Sequence, residues 1–172
     1  MITNNGLTKL MKKKKFFNLP RPYVFIPMSA DFFHHGHINL LKRAKKYGNI
    51  IIGLMTDNGI KSYKNKYPFF KYDLRKKVIK EISFVKKIIP LNGLEYAKTA
   101  EKYQLDYFVH GDDWKKGLQS KERKILIKTM KKWNGIVLEF KYTKNVSSTK
   151  IKKNLKKNEK KKEEYICYFG SR

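Results

Sequence analysis

Cysteine is nearly absent: Cys167 is the single thiol among 172 residues. One thiol forms no internal disulfide and cannot supply the paired thiolates of a structural zinc site, so disulfide, redox and zinc chemistry are excluded as organising principles. Apolar runs of 18 or more residues are also missing, and no segment reads as a transmembrane helix. The basic stretch over residues 11–17 lacks the apolar region of a secretory leader, so the expected location is the cytoplasm. Arginine is scarce as well. Only Arg21, Arg43, Arg75, Arg123 and Arg172 occur, and lysine supplies the rest of the 41 basic residues.

Acidic residues number only 14, leaving a formal charge of +27. Such a surplus suits nucleic acid or an anionic membrane surface. Here it is spread along the whole chain, and it is carried by lysine rather than by the planar arginine fork that grips phosphates and bases bidentately. Solvated lysines with a general attraction for anionic substrates are therefore the favoured reading, and a nucleic-acid or membrane binder is the alternative. A hydrophobic fraction of 41% is enough for one core. The expected organisation is a basic extension over residues 1–20, one domain over residues 21–151, and a lysine-rich helix or tail over residues 152–172.

Short aromatic and β-branched runs alternate with helical spacings. Residues 23–26, 49–55, 87–90, 106–110 and 136–140 read as strands. Helices are expected from about residue 38, over 72–82, 94–103 and 121–132, and after Ser147 or Ser148, with Ala97 and Ala100 on the packed side of the third. Residues 56–71 show no sustained period and read as a long loop or broken helix. This alternation predicts an α/β fold: a Rossmann-like, open, mostly parallel five-stranded sheet with helices on both faces, its ligands at the carboxyl ends of the strands.

The first strand runs into Met28-Ser-Ala-Asp-Phe-Phe-His-His-Gly-His37, which places three of the four histidines at a strand-to-helix junction. A helix N-terminus offers free N–H groups and the positive end of a dipole, and imidazoles beside it complete a phosphate site that Gly36 lets the ligand approach. A metal site is not expected, because carboxylate or thiolate ligands are too few nearby. Further along, Asp112 and Asp113 follow a strand, where an acid pair suits ribose or base contacts. Ser147, Ser148 and Thr149 open a helix with three hydroxyls, where a simple cap needs one.

The spacing His34-x-Gly36-His37 in this context resembles the nucleotidylyltransferase superfamily. Val109-His-Gly-Asp-Asp-Trp114 and Tyr142-Thr-Lys-Asn-Val-Ser-Ser-Thr-Lys-Ile151 resemble two stretches of its cytidylyltransferases. The set is most similar to the phosphonate-type enzymes associated with phosphoenolpyruvate phosphomutase and to the glycerol-3-phosphate type. Asn145 stands where the family has glycine, and Tyr142 where it has arginine.

The resemblance implies transfer of CMP from CTP to a small phosphonate or phosphate-monoester acceptor. It implies catalytic roles for His34, His37, Lys64 and Lys66. Nucleotide contacts are implied at Ser29, Ala30, Asp31, Gly36, Arg75, Gly111, Asp112, Asp113, Trp114, Thr143, Val146, Ser147, Ser148 and Thr149. Mg²⁺ would be bound mainly through the CTP phosphates. A homodimer is the default assembly, and an adenylyltransferase of the same superfamily is the nearest rival.

Overall fold

The computed structural model describes residues 16–141, 143, 147–155 and 157, apart from the side chain of Leu118. Most of the expected basic extension, Val146 and most of the lysine-rich tail, Cys167 included, lie outside the described residues. Five strands are present: β1 Tyr23–Met28, β2 Asn49–Met55, β3 Val85–Leu91, β4 Tyr107–Gly111 and β5 Ile136–Phe140. Between them run α1 His35–Ala44, α2 Asp57–Lys64, α3 Tyr72–Lys80, α4 Tyr96–Tyr103 and α5 Ser120–Lys131, and residues 148–155 form α6.

The sheet has the order β3-β2-β1-β4-β5, and every pair is parallel. The central strands β1 and β2 read as continuous apolar runs because both faces are covered. Alternation then sorts them. Tyr23, Phe25, Ile51, Met55, Leu91 and Phe108 pack against α2, α4 and α5 through Ile60, Ala100, Leu126 and Met130. Val24, Ile26, Ile50, Ile52, Leu54 and Val109 pack on the opposite face against Leu41 and Ala44 of α1 and Ile79 of α3. Phe17 and Leu19, ahead of β1, also pack against the first of these clusters.

Three local departures from the sequence expectation have physical causes. β1 continues through Pro27, which pairs with Gly53 of β2. A missing N–H is tolerable there because the β1–β4 ladder spans only Val24 and Phe25, so the far end of β1 is unpaired on that side. Residues 57–64 form a capped helix, with Thr56 Oγ1 accepting from Gly59 N at 3.1 Å and Asn65 ending it in the left-handed region. Its eight residues bury only Gly59 and Ile60, too few to show a period. The packed side of α4 is formed by Tyr96, Thr99 and Ala100, with Ala97 half-buried.

Gly53 marks the closest approach in the sheet, because a Cβ there would overlap the ring of the fully buried Phe25. Gly53→Ala is expected to cost about 1–3 kcal/mol by overpacking. The shift in the urea midpoint at constant slope measures it.

Candidate active site

The chain runs outward from β1 through β2 to β3, then returns to place β4 on the other side of β1. In such sheets the reversal opens a crevice at the carboxyl ends of the strands. The short β1–β4 ladder widens it here. A cavity of about 480 Å³ occupies this position, lined by Pro27 and Met28 of β1, Met55 of β2, His110 and Gly111 of β4, and Phe140 of β5.

Its floor is the entry to α1. Ala30 takes a φ of 51°, a left-handed turn that swings the loop over the end of β1. His34 then caps α1 with its own ring: Gly36 N donates to His34 Nδ1 at 3.1 Å. His37 completes the reciprocal cap, its Nδ1 accepting from His34 N at 3.2 Å. The two ring centroids lie 4.1 Å apart, and both rings line the cavity.

These caps fix the chemistry of the pair. Burial, reinforced by the neighbouring His34, pushes the His37 ring down to about 4. Burial and His35 lower His34 in the same direction. A neutral imidazole whose Nδ1 accepts from an amide must carry its proton on Nε2. Both rings therefore present an Nε2–H donor, and among the described residues no hydrogen bond engages either Nε2.

Lys64 reaches the cavity from the end of α2, its Nζ 3.5 Å from Ser29 Oγ. Burial and the nearby Lys152 lower its basicity, against the opposing pull of Asp31. The cavity is also lined by Tyr63, whose ring centroid lies 5.0 Å from Lys64 Nζ, and by Tyr96, His110 and Asp113. His110 Nδ1 lies 2.9 Å from Gly111 O, which can only accept, so in the neutral ring Nε2 is a lone-pair acceptor. Burial keeps this ring's affinity for a second proton low, against the pull of the Gly111 carbonyl, Asp113 and Glu139. The last wall is Thr143 with Ser147, Ser148 and Thr149. Ser147 Oγ caps α6 from Lys150 N at 3.1 Å, and Ser148 Oγ donates to Phe32 O at 3.3 Å.

Of the residues singled out in the sequence, Ser29, His34, Gly36, His37, Lys64, Gly111, Asp113, Thr143, Ser147, Ser148 and Thr149 therefore meet around one cavity. Ala30, Asp31, Lys66, Arg75, Asp112 and Trp114 do not line it. Lys66 lies exposed beyond α2. Arg75 is buried and holds Asp57 at 2.6 Å. Asp31 is buried and holds Lys152 at 2.5 Å. Trp114 stacks on His110, 4.2 Å between ring centroids, and its Nε1 donates to Glu139 at 2.6 Å. Arg123 also binds Glu139, holding that carboxyl down at about 2. Trp114 is thus the rigid backing of His110. The sequence reading passed over His110 and Tyr63 as site residues. His110 was findable, as the polar residue that follows the apolar run of β4 at the strand's carboxyl end.

The sequence of residues 26–154 matches the family model described as Cytidylyltransferase-like. The chain belongs to the cytidylyltransferase-like family. Glycerol-3-phosphate cytidylyltransferase of Staphylococcus aureus is 31% identical over 126 residues, covering 73% of this chain and 88% of the relative. The Bacillus spizizenii protein of the same name is 40% identical over 87 residues, 49% of this chain and 67% of that one. Mouse ethanolamine-phosphate cytidylyltransferase is 33% identical over 85 residues, 48% of this chain and 21% of the larger protein. The fold matches that of a lipopolysaccharide core biosynthesis protein from Thermoplasma volcanium at a TM-score of 0.59, with 22% identity, covering 70% of this chain and 97% of that one. This cytidylyltransferase-like chain is accordingly an enzyme of the nucleotidyltransferase class, and among its described residues no helix is long and apolar enough to cross a membrane.

Proposed function

We propose that the enzyme transfers CMP from CTP to a small phosphonate or phosphate-monoester acceptor, with preference for one that carries an amine, such as 2-aminoethylphosphonate. The observation that carries this reading is the pair of neutral imidazoles, His34 and His37, held as Nε2–H donors at a helix N-terminus. An acceptor oxygen attacks the α-phosphorus in line. The new O–P bond forms as the bond to the bridging oxygen breaks, and pyrophosphate leaves with that electron pair. Both Nε2–H donors address α-phosphate oxygens and leaving group, while Lys64 and the hydroxyls of Ser147, Ser148 and Thr149 take up the remaining phosphate charge.

The amine preference is supported by the acceptor and aromatic groups that share the cavity. His110 Nε2 offers a lone pair, Asp113 a carboxylate, and Tyr63 and Tyr96 lie beside them. A zwitterion would set its anionic end against the donors and its ammonium against these acceptor and aromatic groups. The residues present also fit Mg²⁺ held by the triphosphate. Among the described residues no group of three or more His, Cys, Asp and Glu could cage it, and Mg²⁺ at a triphosphate is held largely through phosphate oxygens and water. When bound it would neutralise triphosphate charge.

Pyrophosphate release is the test, with CTP or ATP and each of 2-aminoethylphosphonate, phosphoethanolamine, phosphocholine and glycerol 3-phosphate. The expected result is CTP-dependent release, fastest with an aminoalkyl acceptor. Fastest release with glycerol 3-phosphate would remove the amine preference, and release with ATP alone would overturn the choice of nucleotide.

A further inference from the structure

Asp31 belongs to the histidine loop, yet its carboxylate does not line the cavity and is 94% withdrawn from solvent, at 6% relative exposure. It is fully committed to two other segments. Oδ1 accepts from the backbone N–H of Phe69 at 2.7 Å and of Phe70 at 3.0 Å. Oδ2 accepts from Lys152 Nζ at 2.5 Å. One arm reaches the loop that follows α2, which carries Lys64 at its end. The other reaches α6, whose first turn brings Ser148 and Thr149 to the cavity. Phe32 reinforces the joint: its ring faces Phe69 and Phe70 at 5.5 and 5.7 Å, Lys152 Nζ lies 5.0 Å from its centroid, and its carbonyl receives Ser148 Oγ.

We infer that Asp31 is a positioning residue: one buried carboxylate clamps the lysine-bearing segment and the hydroxyl-bearing helix against the histidine loop, so that three separate parts of the chain form one phosphate site. This rests on the proposed CTP chemistry. The geometry separates the two arms. Asn at position 31 keeps an oxygen for the Phe69 and Phe70 amides but loses the charge that holds Lys152. Lys152→Met removes the same arm from the other end. Alanine at position 31 removes both.

The two single-arm variants change the local charge in opposite senses. Were Lys152 acting only as a distant cation, Lys152→Met would weaken CTP binding and Asp31→Asn would strengthen it. The clamp predicts the same direction for both: KM for CTP rises about tenfold with kcat within about twofold, by misplacement of the hydroxyls. The double variant Asp31→Asn/Lys152→Met is then no worse than either single change, since both break one interaction. Lys152→Arg restores the pair and most of the affinity. Asp31→Ala lowers kcat by about a hundredfold as well, because Lys64 loses its support.

Hydrogen exchange of residues 148–155 gives a readout independent of turnover. Protection is expected to fall in both Asp31→Asn and Lys152→Met and to return in Lys152→Arg. Unchanged protection, a lower KM in Asp31→Asn, or additive effects in the double variant would each overturn the clamp. Loss of protection in a protein that never turns over CTP would leave the clamp standing and sink the proposed reaction instead.

Discussion

Replacing His37 by alanine is expected to lower kcat with CTP by about two to three orders of magnitude, the effect of deleting one preorganised donor from a charge-stabilising site. The whole effect depends on the Nε2–H that the cap leaves available. Alanine also strips His34 N of its acceptor, so a stability loss of about 1 kcal/mol accompanies it, as for other lost helix caps. Glutamine separates the two consequences. At this third helical position its carbonyl can accept from His34 N, as in a capping box, but it cannot reproduce the imidazole donor. His37→Gln should therefore recover the melting temperature while kcat stays low. Recovery of both would show that His37 acts only as a cap.

The protonation of His37 gives the same argument a pH dependence. With the folded ring lowered to about 4 from 6.5, it is neutral throughout the working range, and turnover should show no acid limb from this group until the pH approaches 4. Stability behaves differently. Between pH 6.5 and about 4 the unfolded chain binds a proton that the folded ring refuses, so unfolding becomes easier as pH falls through that window. In His37→Ala this part of the slope disappears, which thermal melts from pH 7 to pH 4 would read directly. A rate that climbed as pH fell below 6.5 would instead demand an imidazolium.

What the sequence revealed and what it hid follow from how each feature is encoded. The sheet was legible because strands buried on both faces leave uninterrupted runs such as Ile50-Ile51-Ile52, and the punctuating Gly48 and Gly135 stand beside them. Clustering made the histidine loop legible, since a helix start has a local signature. The division of labour among the polar residues was not legible. Asp31 and Trp114 stand in the same motifs as cavity residues, yet Arg75, Trp114 and Asp31 each have a charged partner 18, 25 and 121 positions away along the chain. A motif marks residues that act together without saying which touches the ligand and which holds the others in place. Burial decides that, and it comes from packing.

Arg75 is the sharpest case, and Arg75→Ala carries the largest expected loss of stability. At 2% exposure its guanidinium is spent entirely on the protein. Nε donates to Phe70 O at 2.8 Å, Nη1 to Ser29 O at 2.5 Å and to Met55 O at 2.8 Å, and Nη2 to Asp57 Oδ1 at 2.6 Å. One side chain thereby joins the ends of β1 and β2, the start of α2 and the approach to α3. Alanine leaves three carbonyls and a carboxylate without their donor, which by comparison with other broken buried pairs costs about 3–5 kcal/mol. That is a large part of the 5–15 kcal/mol by which domains are ordinarily stable, so partial unfolding near 37 °C is expected. Lysine keeps the charge but offers three donors from one point, which cannot span four acceptors arranged around a planar fork, and Arg75→Lys should recover only part of the loss. Urea unfolding of the three proteins without nucleotide is the measurement. If Arg75 instead gripped CTP, Arg75→Ala would unfold at the wild-type urea concentration and fail only in its KM. The four protein contacts argue for the opposite pattern: stability falls first, and nucleotide binding is lost with the alignment of Ser29 and α2.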